Sequence, residues 1–292
     1  MTNNTTSTMK NKNIAVFILT HERPLKVHTY NSLLKHGYTG DIYIIIDNED
    51  SQAEAYKQAY GNKVIVFDKK AISDTFDEGD NFEDRRAIVY ARNACFGIAK
   101  KLGIKYFMQF DDDYTAFSYR FTSKGEYLHR PIKNLDVIFD AMLEYYKSIN
   151  VKSIAMAQCG DFIGGENGSF GKGKKIFRKC MNTFLCSVDR PFQFVGRINE
   201  DVNTYTNVQS RGNVFLTFSN LAINQLATQS NSGGMTELYL DSGTYIKSFY
   251  TVMYSPSCCK IIPMGETHRR LHHRISWKNA VPVILNEFYK KK

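Results

Sequence analysis

The stretch Ile14-Ala-Val-Phe-Ile-Leu19-Thr20-His-Glu-Arg23-Pro24 decides how the rest of the chain is read. A short, uninterrupted apolar run marks a strand buried on both faces. The polar loop and proline after it predict a helix with Pro near its first turn. That helix carries Leu25, Tyr30, Leu33 and Leu34 and stops at Gly37. The pattern then recurs. Ile42–Ile46 reads as a strand ending at Asp47-Asn-Glu-Asp50, a helix over 51–60 is stopped by Gly61, and Val64–Phe67 is the next strand. Strands alternating with helices mean a parallel, doubly wound sheet, which binds ligands beyond the carboxyl ends of its strands. Thr20, Arg23 and Asp47 fall at such ends.

Lys105-Tyr-Phe-Met-Gln-Phe-Asp111-Asp112-Asp113-Tyr114 places three carboxylates at the end of another buried strand. Side chains alternate on an extended chain, so Asp111 and Asp113 face one way and Asp112 the other. Like charges this close repel unless a cation lies between them, and clustered hard oxygens suit Mg²⁺ or Mn²⁺. The plain alternative is a solvated acidic turn. Their position at the same sheet end as Asp47 favours a site, since unrelated acids would scatter. No GxGxxG or GxxxxGK[ST] follows the first strand. A dinucleotide fold or a P-loop thus loses its main support, and any phosphates must be met by metal or Arg.

The chain has 292 residues, 43% of them hydrophobic and 23% charged, and can bury one large α/β core or two small ones. The net charge of +9 suits a polyanionic partner and equally a basic, solubilising surface. Its six Cys show no CxxC spacing and read as reduced thiols of a cytosolic protein. No apolar run approaches bilayer length. Residues 1–12 read as a disordered tail.

Asp80 and Glu83 have capping-box spacing ahead of a helical pattern, Ile88, Ala91, Cys95, Ile98 and Leu102, closed by Gly103. Arg85 and Arg92, like Arg86 and Asn93, stand seven apart and form neighbouring stripes on that helix. They are solvated surface residues or partners for a phosphate or for Asp111–Asp113. Pro131–Ser148 reads as a helix, Ser153–Gln158 as a strand, and 166–180 as a basic, Gly/Lys-rich loop. Glu200-Asp201 opens a helix through Tyr205 and Val208, stopped near Gly212. Those acids either cap that helix or supply a general base. Three His and three Arg crowd residues 268–274, which favours an anion or metal site.

The order of these features resembles a GT-A glycosyltransferase. Tyr90-Ala91-Arg92-Asn93, followed by a strand and Asp111-Asp112-Asp113, is similar to the family-2 pattern of an Ala-Arg-Asn helix before an Asp-x-Asp motif. Glu200-Asp201 is similar to that family's Glu-Asp pair. More narrowly, several strings look like the TET-associated glycosyltransferases of phages, over residues 13–288. They are Gly79-Asp-Asn-Phe82, Arg85-Arg86, Arg178-Lys179-Cys-Met-Asn182, Gly196-Arg-Ile-Asn-Glu-Asp201, Thr228-Gln-Ser-Asn-Ser-Gly-Gly-Met235 and Lys247-Ser-Phe-Tyr250.

The resemblance implies a GT-A, Rossmann-like fold: a mostly parallel sheet flanked by helices, in a single domain over 13–292. Its nucleotide-binding half spans 13–114 and a smaller acceptor half 115–292. It implies transfer of a sugar from a nucleotide-sugar, a UDP-sugar, to the hydroxymethyl group of 5-hydroxymethylcytosine or a related base in phage DNA. Mn²⁺ or Mg²⁺ would be held by Asp113 with Asp111, completed by His272 or His273. The extra Asp112 leaves the exact pair open. Thr20, Arg23, Arg86, Arg92, Asn93, Asp111 and Asp112 would line the donor, Asp47 would accept from the uracil edge, and Arg269 and Arg270 would flank the pyrophosphate. Asp201, beside Glu200, would be the base of an inverting transfer in the host cytoplasm, with no membrane partner. A DNA-cutting metalloenzyme, or a non-catalytic DNA binder, would account for the same acids or the same basic loop.

Overall fold

In a computed structural model, the described residues are 13–79, 85–123, 126–158, 162, 182–226, 246–264, 270–282 and 284–287. The expected strands form: β1 (Ala15–Leu19), β2 (Ile42–Asp47), β3 (Val64–Phe67), β4 (Tyr106–Asp111) and β7 (Ser153–Gln158). With β5 (Tyr114–Ser123), β6 (Glu126–Pro131), β8 (Phe184–Ser187) and β9 (Phe215–Gln225) they build one nine-stranded sheet in the order β3-β2-β1-β4-β8-β7-β9-β5-β6. β1 to β4 run parallel, as do β7 and β9. β8 is antiparallel between β4 and β7, and β5 reverses against both β9 and β6. The mostly parallel α/β expectation holds.

Strand alternation sorts the core onto two faces. Val16, Ile18, Ile44, Ile46, Met108 and Phe110 join one apolar cluster, with Leu33 from α1 (His28–Lys35) and Phe139 and Met142 from α5 (Leu135–Ser148). Ala15, Phe17, Leu19, Ile45 and Phe107 join the other. There they meet Val89, Cys95 and Ile98 of α4 (Val89–Lys101) and Val202 and Tyr205 of α6 (Glu200–Ser210). Each fully buried large apolar side chain contributes about 1.5–3 kcal/mol, so this three-layer packing fixes the strand ends rigidly.

Several local expectations shift. Pro24 opens only a short 3-10 turn, Pro24–Lys26, which leaves Leu25 92% exposed and off the core. A fixed φ at Pro24 and a non-helical Val27 break the segment before α1 begins. Pro131 closes β6 rather than opening α5, whose N-cap is Asn134. α4 begins at Val89 with no side-chain cap, too far along for Asp80 to cap it, and Arg85 and Arg86 precede it. Asp80, Glu83, Arg269, the tail 1–12, the basic loop 166–180 and the stretch 228–235 lie outside the described residues. The sheet takes strands from both sides of residue 114.

Near the C-terminus, a helix over 246–254, here α7, follows α2 (Ala53–Tyr60), α3 (Lys69–Ser73) and the helices above. β10 (Cys259–Met264) and β11 (Arg270–Ile275) form a separate antiparallel hairpin, and α8 (Trp277–Ala280) follows. No described helix is long and apolar enough to cross a membrane.

Candidate active site

Register brings the functional side chains to one edge. Leu19 pairs with Ile45 on one side and Asp111 on the other, and Asp47 pairs with Phe67. β1 alone separates Asp47's strand from Asp111's, a span of about 10 Å at ordinary strand spacing.

The three acids end differently because the chain turns sharply after β4: Asp112 and Asp113 form a turn and β5 starts at Tyr114. The Thr29 hydroxyl donates to the Asp111 carbonyl at 2.6 Å and accepts from Tyr114 N–H at 2.9 Å, pinning that turn. Asp111 Oδ1 meets Arg92 Nη2 at 2.7 Å, with 20% of its side chain still exposed. Asp112 turns to the other side, where Oδ2 accepts from the Thr20 hydroxyl at 2.6 Å and faces Arg23 Nη2 at 3.2 Å. The Tyr56 hydroxyl bonds the Thr20 hydroxyl and accepts from Arg23 N–H, both at 2.8 Å. Asp113 is the exception. Its Oδ1 is buried and has no hydrogen-bond partner among the described residues.

Electrostatics follows from those partners. Burial, then the charges of Asp111 and Asp112, push the Asp113 carboxyl up to about 7. Asp111 is also raised, by burial first, with Arg92 pulling the other way and Asp112 and Asp201 adding repulsion. Glu200 is raised by burial against the pull of Arg92, again with Asp201 contributing. Those mutual influences put Asp201 within electrostatic reach of both Asp111 and Glu200.

Of the alternatives that the sequence left open for Arg92, the pairing with Asp111 is the one seen, whereas Asn93 meets a loop backbone. Arg92 is 1% exposed and packs against the Phe184 and Phe194 rings, 5.3 and 5.7 Å from their centroids. Its Nε bonds Glu200 Oε1 at 2.8 Å, so two of its nitrogens are engaged by carboxylates of the protein. Asn93 clamps the Phe194 backbone, donating to its carbonyl at 3.0 Å and accepting from its N–H at 2.8 Å, which occupies both ends of its amide. Nor do Glu200 and Asp201 merely follow a cap: Asn199 gives no side-chain cap and takes a left-handed backbone, φ 55°. Its amide donates to the Lys247 carbonyl at 2.6 Å and the Thr251 hydroxyl at 3.2 Å, both on α7.

At the other end of the edge, Asp47 is 5% exposed and meets His21 Nδ1 at 3.0 Å and Lys69 Nζ at 3.3 Å. Burial would raise its carboxyl, but the His21 hydrogen bond and the Lys69 charge prevail and hold it below the usual range. Arg85 pairs with Glu49 at 2.6 Å, and Arg86 adjoins it ahead of α4. Sequence reading missed His21, Tyr56 and Lys69. The first and last were within reach of the strand-end rule, following β1 and β3, whereas Tyr56 comes from mid-helix and gave no signal.

His272 and His273 stack on each other at 4.5 Å within β11. Among the described residues no three His, Cys, Asp or Glu side chains form a ready-made ion cage, so these histidines are not gathered with Asp111 and Asp113. The physical reason is that the hairpin is its own sheet. The Ser248 hydroxyl of α7 donates to the Leu271 carbonyl, which places α7 between the hairpin and α6. Arg270 occupies the first position of β11.

Among curated proteins, none matches the sequence. Among solved structures, the mannosyltransferase PcManGT from Pyrobaculum calidifontis, in complex with GDP-Man and Mn²⁺, aligns with a TM-score of 0.47 at 11% identity. The alignment covers 78% of this chain and 60% of that one. A family-wide pattern, that of the TET-associated glycosyltransferases, matches residues 14–234, from the first strand past the acidic turn and α6. With that match covering most of its length, the chain belongs to the TET-associated glycosyltransferase family.

Proposed function

We propose that the enzyme transfers a sugar from a nucleotide-sugar, a UDP-sugar in our reading, to the hydroxymethyl group of a 5-hydroxymethylpyrimidine in DNA, 5-hydroxymethylcytosine foremost. One observation carries the donor side. Asp111 and Asp112 each already hold a guanidinium, while Asp113 Oδ1 is buried without a partner. An unpartnered carboxylate oxygen in a cluster of like charge fits a divalent cation, with Asp111, still one-fifth open, beside it. Mn²⁺ or Mg²⁺ there would offset the charge that develops on the departing diphosphate. His272 or His273 would join only by a rearrangement of the hairpin.

The chain's own residues do the rest. Asp47, kept ionised by His21 and Lys69, can only accept hydrogen bonds, which suits the ring N–H of uracil. Thr20 and Arg23 hold Asp112 and so shape the floor beneath the nucleotide. Glu200 is committed to Arg92, which leaves Asp201 to take the proton from the acceptor hydroxyl. Direct attack from that side inverts the anomeric centre. A duplex acceptor base would have to leave the stack, with the surplus positive charge holding the backbone. The family membership supports this reading over the nuclease and the non-catalytic DNA binder.

The test is incubation of hydroxymethylated DNA with a panel of UDP- and GDP-sugars and Mn²⁺, read by mass spectrometry of the nucleosides. A gain of one hexose or pentose is expected; no gain with any donor overturns the acceptor. Asp201→Asn should cut transfer by about 100-fold or more while nucleotide binding persists. Lost nucleotide binding would remove Asp201 from the base role.

A further inference from the structure

We propose that Arg92 is a positioning residue: its guanidinium ties Asp111, beside the cation position at Asp113, to Glu200, and so holds the Asp201 helix in register with the donor. The proposal rests on the glycosyltransferase reading above and concerns how its two halves are kept aligned.

The guanidinium uses two different atoms on two carboxylates from distant elements, Nη2 on Asp111 at the end of β4 and Nε on Glu200 at the start of α6. It is buried against the Phe184–Phe194 pair, and the Asn93 clamp on the Phe194 backbone holds that residue in place. Gln109, buried beneath α4, donates to the Arg92 carbonyl at 3.2 Å and fixes the backbone as well. Arg92 therefore cannot swing out to a phosphate. Of the carboxylates gathered here, Asp112 pairs with Arg23, and Asp111 and Glu200 share the single guanidinium of Arg92. Without Arg92, Asp111 would lose the positive charge that draws on it, and α6 would lose the link that runs through Arg92 of α4 to the end of β4. The cluster would then hold a divalent ion more tightly while Asp201 lost its alignment with it.

That inversion separates positioning from simple structural damage, which would loosen the ion. Mn²⁺ binding to Arg92→Gln, Arg92→Lys and the unaltered enzyme should be titrated calorimetrically with a nucleoside diphosphate present, alongside transfer kinetics. Removing one nearby charge is expected to tighten Mn²⁺ about three- to tenfold. Misplacing Asp201 should lower kcat about 100-fold, with the donor KM changed less than about threefold. Arg92→Lys, which supplies one point charge for two partners, should fall between. Weaker Mn²⁺ binding, or a raised donor KM at unchanged kcat, overturns the proposal. If Arg92→Gln fails to fold, Glu200→Gln cuts one end only. A lower kcat at constant donor KM is then expected, and an unchanged kcat refutes the role. If the unaltered enzyme binds Mn²⁺ and nucleotide but leaves DNA unmodified, the acceptor assignment fails while the Mn²⁺ signature still decides the role of Arg92.

Discussion

Replacing Asp113 by Asn should stabilise the metal-free protein while removing its response to Mn²⁺. In the fold the Asp113 carboxyl titrates at about 7, against roughly 3.9 in an unfolded chain. Between those values the native state binds more protons than the unfolded one, so this group lowers stability as pH rises, and its full penalty is present above pH 7. Three units correspond to about 4 kcal/mol at most, and water reaching the open end of the turn reduces this to about 1–2 kcal/mol. For a domain of this size that is about 2–6 °C in Tm. The assay is thermal unfolding in chelator at pH 4.5, 6 and 8, then at pH 8 with Mn²⁺. The Asn variant should match the parent at pH 4.5, exceed it progressively toward pH 8, and gain nothing from Mn²⁺ where the parent does. A variant less stable at pH 8 without metal, or a gain independent of pH, would refute the reasoning.

The clamp on Phe194 gives a second prediction. Asn93→Ala strands a backbone N–H and a carbonyl and should cost about 2–3 kcal/mol in denaturant unfolding. Equal stability would show that water replaces both bonds. Gly196 has φ 80°, and a Cβ there would lie 2.6 Å from Asn203 Nδ2 and 2.7 Å from the Tyr254 ring. Gly196→Ala should therefore lower Tm and kcat together, since Asn203 lies on α6 just past Asp201; a silent substitution would mean that the loop relaxes freely. Asp47→Asn should raise the donor KM about tenfold or more with kcat little changed, because an amide offers His21 and Lys69 a weaker acceptor. A kcat effect alone would place Asp47 elsewhere in the reaction.

The parallel half of the sheet was legible because each buried strand is a short apolar run closed by a turn residue. Val64–Phe67 and Ser153–Gln158 were placed to the residue. The acids at the strand ends were legible for the same reason: register follows the strands, so Asp47 and Asp111 had to share an edge. What sequence could not give was partner choice. Arg92 and Asn93 look alike as neighbours on one helix, yet one is drawn to carboxylates and the other to a loop backbone, and only packing against Phe184 and Phe194 decides which. The histidines misled through density alone: adjacency in sequence placed His272 and His273 on a separate hairpin.

The left-handed Asn199 has a practical meaning for anyone shortening the protein. The family pattern ends at residue 234, but the bonds that hold Asn199, and with it the first turn carrying Asp201, come from Lys247 and Thr251. Those bonds continue through Ser248 to the hairpin at Leu271. A fragment trimmed to the recognisable part would keep every acid of the site and lose the brace that aims one of them.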